Sequence, residues 1–109
     1  MAYLPTYSED APARDEIDAL PGLLLLEFGT NWCGHCQAAQ PAIAAAMADY
    51  PALRHIKVED GPGRRLGRSY RVKLWPTLIF LRDGQEIRRL VRPTDKADIA
   101  ATLARLATA

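Results

Sequence analysis

A chain of 109 residues, 49% hydrophobic and 25% charged, has room for one modest core and the make-up of an ordinary globular domain. Its formal charge of +1 argues against bulk nucleic-acid binding, which favours a strongly basic domain, and its longest apolar run, Leu23 to Leu26, is far too short to cross a bilayer. Two cysteines with two residues between them cannot form a disulfide scaffold, so they point to chemistry rather than to stapling.

Residues 1–7 carry Tyr3, Leu4, Pro5 and Tyr7 and read as a short edge strand or an irregular lead-in. They show no basic stretch followed by an apolar one, so no secretory signal is expected and a cytoplasmic location is. Ser8 or Asp10 is the expected cap of a helix running to about Leu20, with Ile17 and Leu20 inward, ended by Pro21-Gly22. Leu23 to Phe28 is apolar except for Glu27, the pattern of a strand buried on both faces. After the turn Gly29-Thr30-Asn31, Cys33 to Tyr50 reads as an Ala-rich helix with Pro41 inside it. Arg54 to Glu59 is a second strand, Arg64 to Tyr70 a short helix, and Thr77 to Leu81 a third strand. Asp83-Gly84 is a hairpin signal, Gln85 to Val91 the returning strand. Thr94 or Asp95 caps a last helix with Ile99, Leu103 and Leu106 on one side. This order predicts a single α/β domain over residues 1–109, with a central mixed sheet flanked by helices on both faces and a terminal hairpin and helix.

Trp32-Cys33-Gly34-His35-Cys36 follows the buried strand and opens a helix. A thiol at a helix N-terminus meets unpaired backbone N–H groups and the positive end of the macrodipole, both of which favour the reactive thiolate. One helical turn brings the second sulfur within bonding distance. Cys33 is the expected nucleophile, and Cys36, deeper in the helix, the expected resolving thiol. His35 can add positive charge or a hydrogen bond to the thiolate.

These residues, with Phe28, Pro41, Lys57, Trp75-Pro76-Thr77, Asp83-Gly84 and the final helix, fall in the order and spacing of the thioredoxin family, which the chain resembles over nearly its whole length. The Cys-Gly-His-Cys quartet is closer to that of protein disulfide isomerase, since thioredoxin itself has proline at the His35 position. The resemblance implies a thioredoxin fold and a protein dithiol–disulfide oxidoreductase, most simply a reductase. It implies protein disulfides as substrates, a thioredoxin reductase-type electron donor, no cofactor beyond the cysteine pair, no membrane partner and a monomer. By the same resemblance Glu27 is the buried acid that exchanges a proton with the second cysteine, and Lys57 its partner. Pro76 is the cis-proline that pairs with extended substrate backbone. Trp32, Gly34, Trp75, Pro76 and Arg92 form the substrate-facing rim. Burial within the apolar strand is expected to raise the Glu27 pKa, and removing its charge to cost no stability.

The chain departs from the family at Trp75, where a small or β-branched residue is usual, at Arg92, where thioredoxin has a glycine, and at Gly29, where an aromatic is common. Other readings stay open. A zinc site is disfavoured because only His35 and His55 remain as further His or Cys ligands, and His55 reads as surface or core filler. Glu27 alone could be an edge-facing acid and Lys57 a solvated one. Trp75 is open between core packing and a client platform. Residues 1–50 hold one basic residue against seven acids and residues 51–109 thirteen against six, so the halves carry −6 and +7. Arg64, Arg65, Arg68, Arg71 and Lys73 therefore form either a solvated face or a steering surface beside Pro76. An oxidase or isomerase in an oxidising compartment, or a thioredoxin-fold binding or chaperone module without turnover, are the alternative functions.

Overall fold

The structure, a computed structural model, describes residues 3–108. The elements in chain order are α1 (Arg14–Asp18), β1 (Leu23–Gly29), α2 (Gly34–Met47), β2 (Arg54–Glu59), α3 (Arg65–Ser69), β3 (Thr77–Arg82), β4 (Gln85–Val91) and α4 (Lys96–Thr108). The strands pair in the order β2-β1-β3-β4. β1 and β2 are parallel, while β1–β3 and β3–β4 are antiparallel, so the sheet is mixed as expected.

β1 lies in the middle because its residues have apolar neighbours on both faces. Leu25 joins Ile43, Leu78, Phe80, Ile99 and Leu103 against α2 and α4. Leu24, Leu26 and Phe28 join Ile17, Val58, Leu66 and Ile79 on the opposite face. Side chains alternate along a strand, so Glu27 falls on the Leu25 side, beneath α2. β4 is the outer strand, and its exposed positions carry Glu86 and Arg88, charges that discourage further strand pairing.

The first helix departs from expectation. Neither Ser8 nor Asp10 caps it; it begins after Ala13, whose N–H is held by Glu16 Oε1 at 3.1 Å. Pro12 disfavours helical backbone at Ala11, which blocks an earlier start. Ser8 is also committed elsewhere. Its N–H donates to the Lys57 carbonyl (2.9 Å), and its carbonyl accepts from the Glu59 N–H (2.8 Å), in a single parallel bridge along the free edge of β2. The lead-in thus resolves to one bridge rather than a full strand. α2 stops at Met47, three residues short of expectation, as Pro51 keeps Tyr50 out of the helical region. Of the two candidate caps for α4, Asp95 acts, its Oδ1 accepting from the Ala97 N–H at 2.8 Å.

The hairpin turn has φ 51° at Asp83 and 82° at Gly84, positive at both central residues as a two-residue hairpin requires. A Cβ on Gly84 would lie 2.0 Å from the Asp18 carbonyl oxygen, so the turn tip also packs against the end of α1. Gly84→Ala meets both obstacles. It should lower stability by about 1–3 kcal/mol in urea melts, with thiol chemistry unchanged because the turn lies at the far end of the sheet. An unaltered midpoint would mean that the α1 contact yields freely.

Candidate functional site

Cys33 is the N-cap of α2, and its sulfur accepts the Cys36 N–H at 3.4 Å. Capping normally falls to an oxygen acceptor; here the sulfur takes that place, so the helix start stabilises negative charge on it. Partial burial pushes the Cys33 thiol up. The N–H groups of Cys36 and His35, the Cys36 thiol and the Arg92 guanidinium outweigh burial and hold Cys33 below the ordinary cysteine value. His35 therefore reaches the sulfur through its backbone N–H, and its side chain is exposed.

Cys36, one turn on, is fully buried. Burial pushes its thiol up to about 11, and the Cys33 sulfur adds to the rise, while the Thr30 N–H and the Tyr7 hydroxyl oppose it. The two thiols thus differ in the direction that the sequence implies, one poised as thiolate and the other holding its proton.

Behind Cys36 lies Glu27, wholly buried. Its Oε1 pairs with His55 Nε2 at 2.9 Å. Its Oε2 accepts from Gln40 Nε2 at 3.0 Å and from the Tyr7 hydroxyl in a short hydrogen bond, with Lys57 Nζ at 4.0 Å. The Leu4 N–H donates to His55 Nδ1 at 3.0 Å, so His55 carries its proton on Nε2 and donates it to the acid. Lys57 is the direct register partner of Glu27 across β1 and β2, and its Nζ also donates to the Leu4 and Pro5 carbonyls (3.0 and 3.1 Å) and to Gln40 Oε1. Gln40 thus joins the acid to the lysine and also donates to the Cys36 carbonyl at 2.9 Å.

This network reverses the expected Glu27 shift. Burial pushes the carboxyl up, but the His55 hydrogen bond, the Lys57 ammonium and the Tyr7 hydroxyl together hold it below the ordinary carboxylate value. Lys57 is itself lowered, because burial outweighs the charges of Glu27 and Cys36.

His55 is likewise corrected: it is no filler but a partner of the acid. One signal for it was available, since His55 and Lys57 stand two apart on one strand and so share a face. Gln40 had a similar signal, one helical turn after Cys36. Tyr7 had none of local range. Its main chain is clamped by Asn31, whose Oδ1 accepts the Tyr7 N–H at 2.8 Å and whose Nδ2 donates to the Tyr7 carbonyl at 3.1 Å.

At the rim, Trp75 and Pro76 are joined by a cis peptide bond. Trp75 is half-buried, donates from Nε1 to Asp60 Oδ2 (2.9 Å) and meets exposed Trp32 edge-on with ring centroids 5.9 Å apart. Arg92 has φ 52°, the left-handed region that favours glycine. Its N–H donates to the Pro76 carbonyl (2.8 Å) and its Nε to the Trp75 carbonyl (2.9 Å). Trp32, Trp75, Pro76 and Arg92 are thus linked around Cys33, and Gly34 is exposed in the first turn of α2. The basic run is not uniformly solvated: Arg64 pairs with Glu59 and donates to the Glu9 carbonyl. Among the described residues no helix is long and apolar enough to cross a membrane, and no group of three or more His, Cys, Asp or Glu side chains is placed to hold a metal ion.

The family model described as Thioredoxin matches residues 8–105. Thioredoxin of Chlamydia trachomatis serovar D is 37% identical over 75 residues, covering 69% of this chain and 74% of that protein. Thioredoxin of Chlamydia muridarum is 31% identical over 84 residues, covering 77% and 82%. The structure of thioredoxin 2 from Pseudomonas aeruginosa PAO1 in its reduced form is similar at a TM-score of 0.86 and 59% identity, covering 94% of this chain and 95% of that one. The chain therefore belongs to the thioredoxin family, and its activity is thiol–disulfide exchange.

Proposed function

We propose that the chain reduces disulfides in other proteins, with Cys33 attacking, Cys36 resolving and Glu27 receiving the Cys36 proton. The observation that carries this reading is the geometry of one helix start, where the Cys33 sulfur caps the helix by accepting the Cys36 N–H while Cys36 itself is fully buried one turn on. The Cys33 thiolate attacks a client sulfur. The client's disulfide breaks, one client thiolate leaves, and a mixed disulfide forms. That step removes the negative charge on Cys33 which helped Cys36 keep its proton, so Cys36 becomes easier to ionise. As its proton passes toward the ionised Glu27, the Cys36 sulfur attacks Cys33. The Cys33–Cys36 bond forms and the second client thiolate departs. Since the Glu27 carboxyl is held low, the transfer is concerted with sulfur attack rather than completed before it.

Lys57 supports the charge of Glu27 in this scheme. Trp32, Gly34, Trp75, Pro76 and Arg92 receive the client, whose extended backbone takes over the Trp75 carbonyl from Arg92. The two electrons rest on the cysteine pair, so the domain works without a further cofactor, as a monomer, and is recharged by a dithiol reductase of the thioredoxin reductase type. Work in the cytoplasm belongs to the same proposal. The chain's only cysteines are the working pair, so its fold asks for no oxidising compartment.

Three outcomes test this reading. Cys36→Ser should accumulate client mixed disulfides at Cys33, whereas Cys33→Ser should trap none; faster iodoacetamide alkylation of Cys36 than of Cys33 at neutral pH would reverse the assignment. His35→Pro removes an N–H donor from the Cys33 thiolate, which destabilises the reduced form. Its potential against glutathione should fall by about 30 mV, a tenfold change in equilibrium. His35→Ala keeps that N–H and should shift the potential less; an equal shift would assign the effect to the imidazole.

The third concerns the charge on Glu27. A carboxylate whose folded pKa is depressed adds stability above its unfolded pKa and loses it as the pH falls through the folded one. Glu27→Gln leaves Lys57 buried without its counter-charge, and should cost about 1–3 kcal/mol at pH 7. Urea melts should show that gap closing as the pH falls below the ordinary carboxylate range. A variant as stable as wild type at pH 7 would mean that the carboxylate gains nothing from its partners.

A further inference from the structure

The space beneath the active-site turn is filled in an unusual way. Gly29 ends β1, and a Cβ there would lie 2.6 Å from Cys36 Sγ and 2.7 Å from both Cζ and Oη of Tyr7. The missing side chain at Gly29 is what admits the Tyr7 ring, which enters from the lead-in and is itself buried. Its hydroxyl donates to Glu27 Oε2 in a short hydrogen bond and lies beside Cys36 Sγ, the two atoms being 2.7 and 2.6 Å from the same point above Gly29. One oxygen therefore bonds the group that receives the proton and lies beside the group that must lose it. Its own position is held by the Asn31 clamp, by Gln40 Nε2 at 3.3 Å and by the Lys57 ammonium 4.6 Å from the ring centre.

We propose that Tyr7 is a catalytic residue that carries the Cys36 proton to Glu27. This rests on the reading of Glu27 as the proton acceptor. The steps balance as follows. In the mixed disulfide the Cys36 S–H donates to the Tyr7 oxygen, whose O–H donates to Glu27. The Tyr7 proton moves to the carboxylate as the Cys36 proton moves to Tyr7. Tyr7 ends neutral and Glu27 protonated, while the Cys36 sulfur bonds to Cys33 and expels the client thiolate. Reduction of the Cys33–Cys36 disulfide runs the same path backwards. Burial beside the carboxylate pushes the Tyr7 hydroxyl far above its ordinary value, so tyrosinate does not accumulate and the two protons move together. The titratable and charged groups around the acid are Tyr3 and Tyr7 from the lead-in, Cys36 from α2, and His55 and Lys57 from β2; β3 offers the apolar Leu78 as its register partner.

The two steps separate in the reaction of the reduced protein with 5,5′-dithiobis(2-nitrobenzoate), where attack by Cys33 releases one coloured thiolate and resolution by Cys36 releases the second. Tyr7→Phe keeps the ring and loses the hydroxyl. It should leave the first phase near wild type and slow the second by about tenfold to a hundredfold, within the range of lost acid–base catalysis. Glu27→Gln should slow the same phase, and the double variant should be no slower than the slower single one. In mixtures of light and heavy water the second phase of wild type should show a bowed, two-proton dependence that becomes linear in Tyr7→Phe; lost packing alone would not produce that change. If Glu27→Gln slows the second phase and Tyr7→Phe does not, the relay is wrong while the role of Glu27 stands. If neither slows it, both fall. Multiplying effects in the double variant would also overturn the relay. Should Tyr7→Phe not fold, 3-fluorotyrosine at position 7 keeps shape and hydroxyl but makes the latter more acidic. It should displace the pH dependence of the second phase, and an unmoved profile would refute the proposal.

Discussion

A negative charge buried in the middle of an apolar strand is the constraint on which this site depends. An isolated carboxylate taken out of water loses hydration worth several kcal/mol or more, and can stay ionised only if protein groups replace it. Here the replacements come from three separate parts of the chain. β2 supplies His55 and Lys57, α2 supplies Gln40, and the lead-in supplies Tyr7. Each partner is satisfied in turn: His55 by the Leu4 N–H, Lys57 by two carbonyls and Gln40, Gln40 by the Tyr3 hydroxyl at 2.7 Å. Such a connected network is the condition under which a buried ion is tolerable. It also makes the lead-in part of the site, since its single bridge to β2 and the Asn31 clamp hold the Tyr7 hydroxyl in place.

The asymmetry of the two thiols has a simpler origin, the geometry of a helix start. Cys33 stands where backbone N–H groups are unpaired, so its sulfur is capped by the helix that it begins. Cys36 lies one turn on, facing the sheet, where burial withholds the solvation a thiolate needs. The same four-residue segment thus presents one sulfur as a nucleophile and stores a proton on the other. The pair is coupled, because each sulfur's charge is felt by its neighbour.

The departures from the family pattern sort into two kinds once their neighbours are known. Gly29 is a change of the interior: where a family member commonly has an aromatic on the strand, this chain brings the ring of Tyr7 from elsewhere. Trp75 and Arg92 are changes of the rim. Trp75 does both of the things left open for it, packing against Trp32 and Asp60 while remaining half-exposed beside the cysteines. Arg92 adopts backbone that glycine would take without strain, is held there by two carbonyls of the cis-proline loop, and adds its charge near Cys33.

Much of the fold was legible because its signals are local. Strand period, the Asp83-Gly84 turn, the apolar positions of α4 and the Cys-Gly-His-Cys segment each depend on residues close in sequence. Local signals also misled at the first helix, where Ser8 looks like a cap but its backbone is already spent on the edge of β2. By itself the sequence determined the order of elements and the identity of the two thiols. Only the tertiary structure decided the charge state that Glu27 favours. That depends on donors 13, 20 and 28 residues away, Gln40, Tyr7 and His55, whose approach is set by sheet pairing and helix packing rather than by any pattern along the chain.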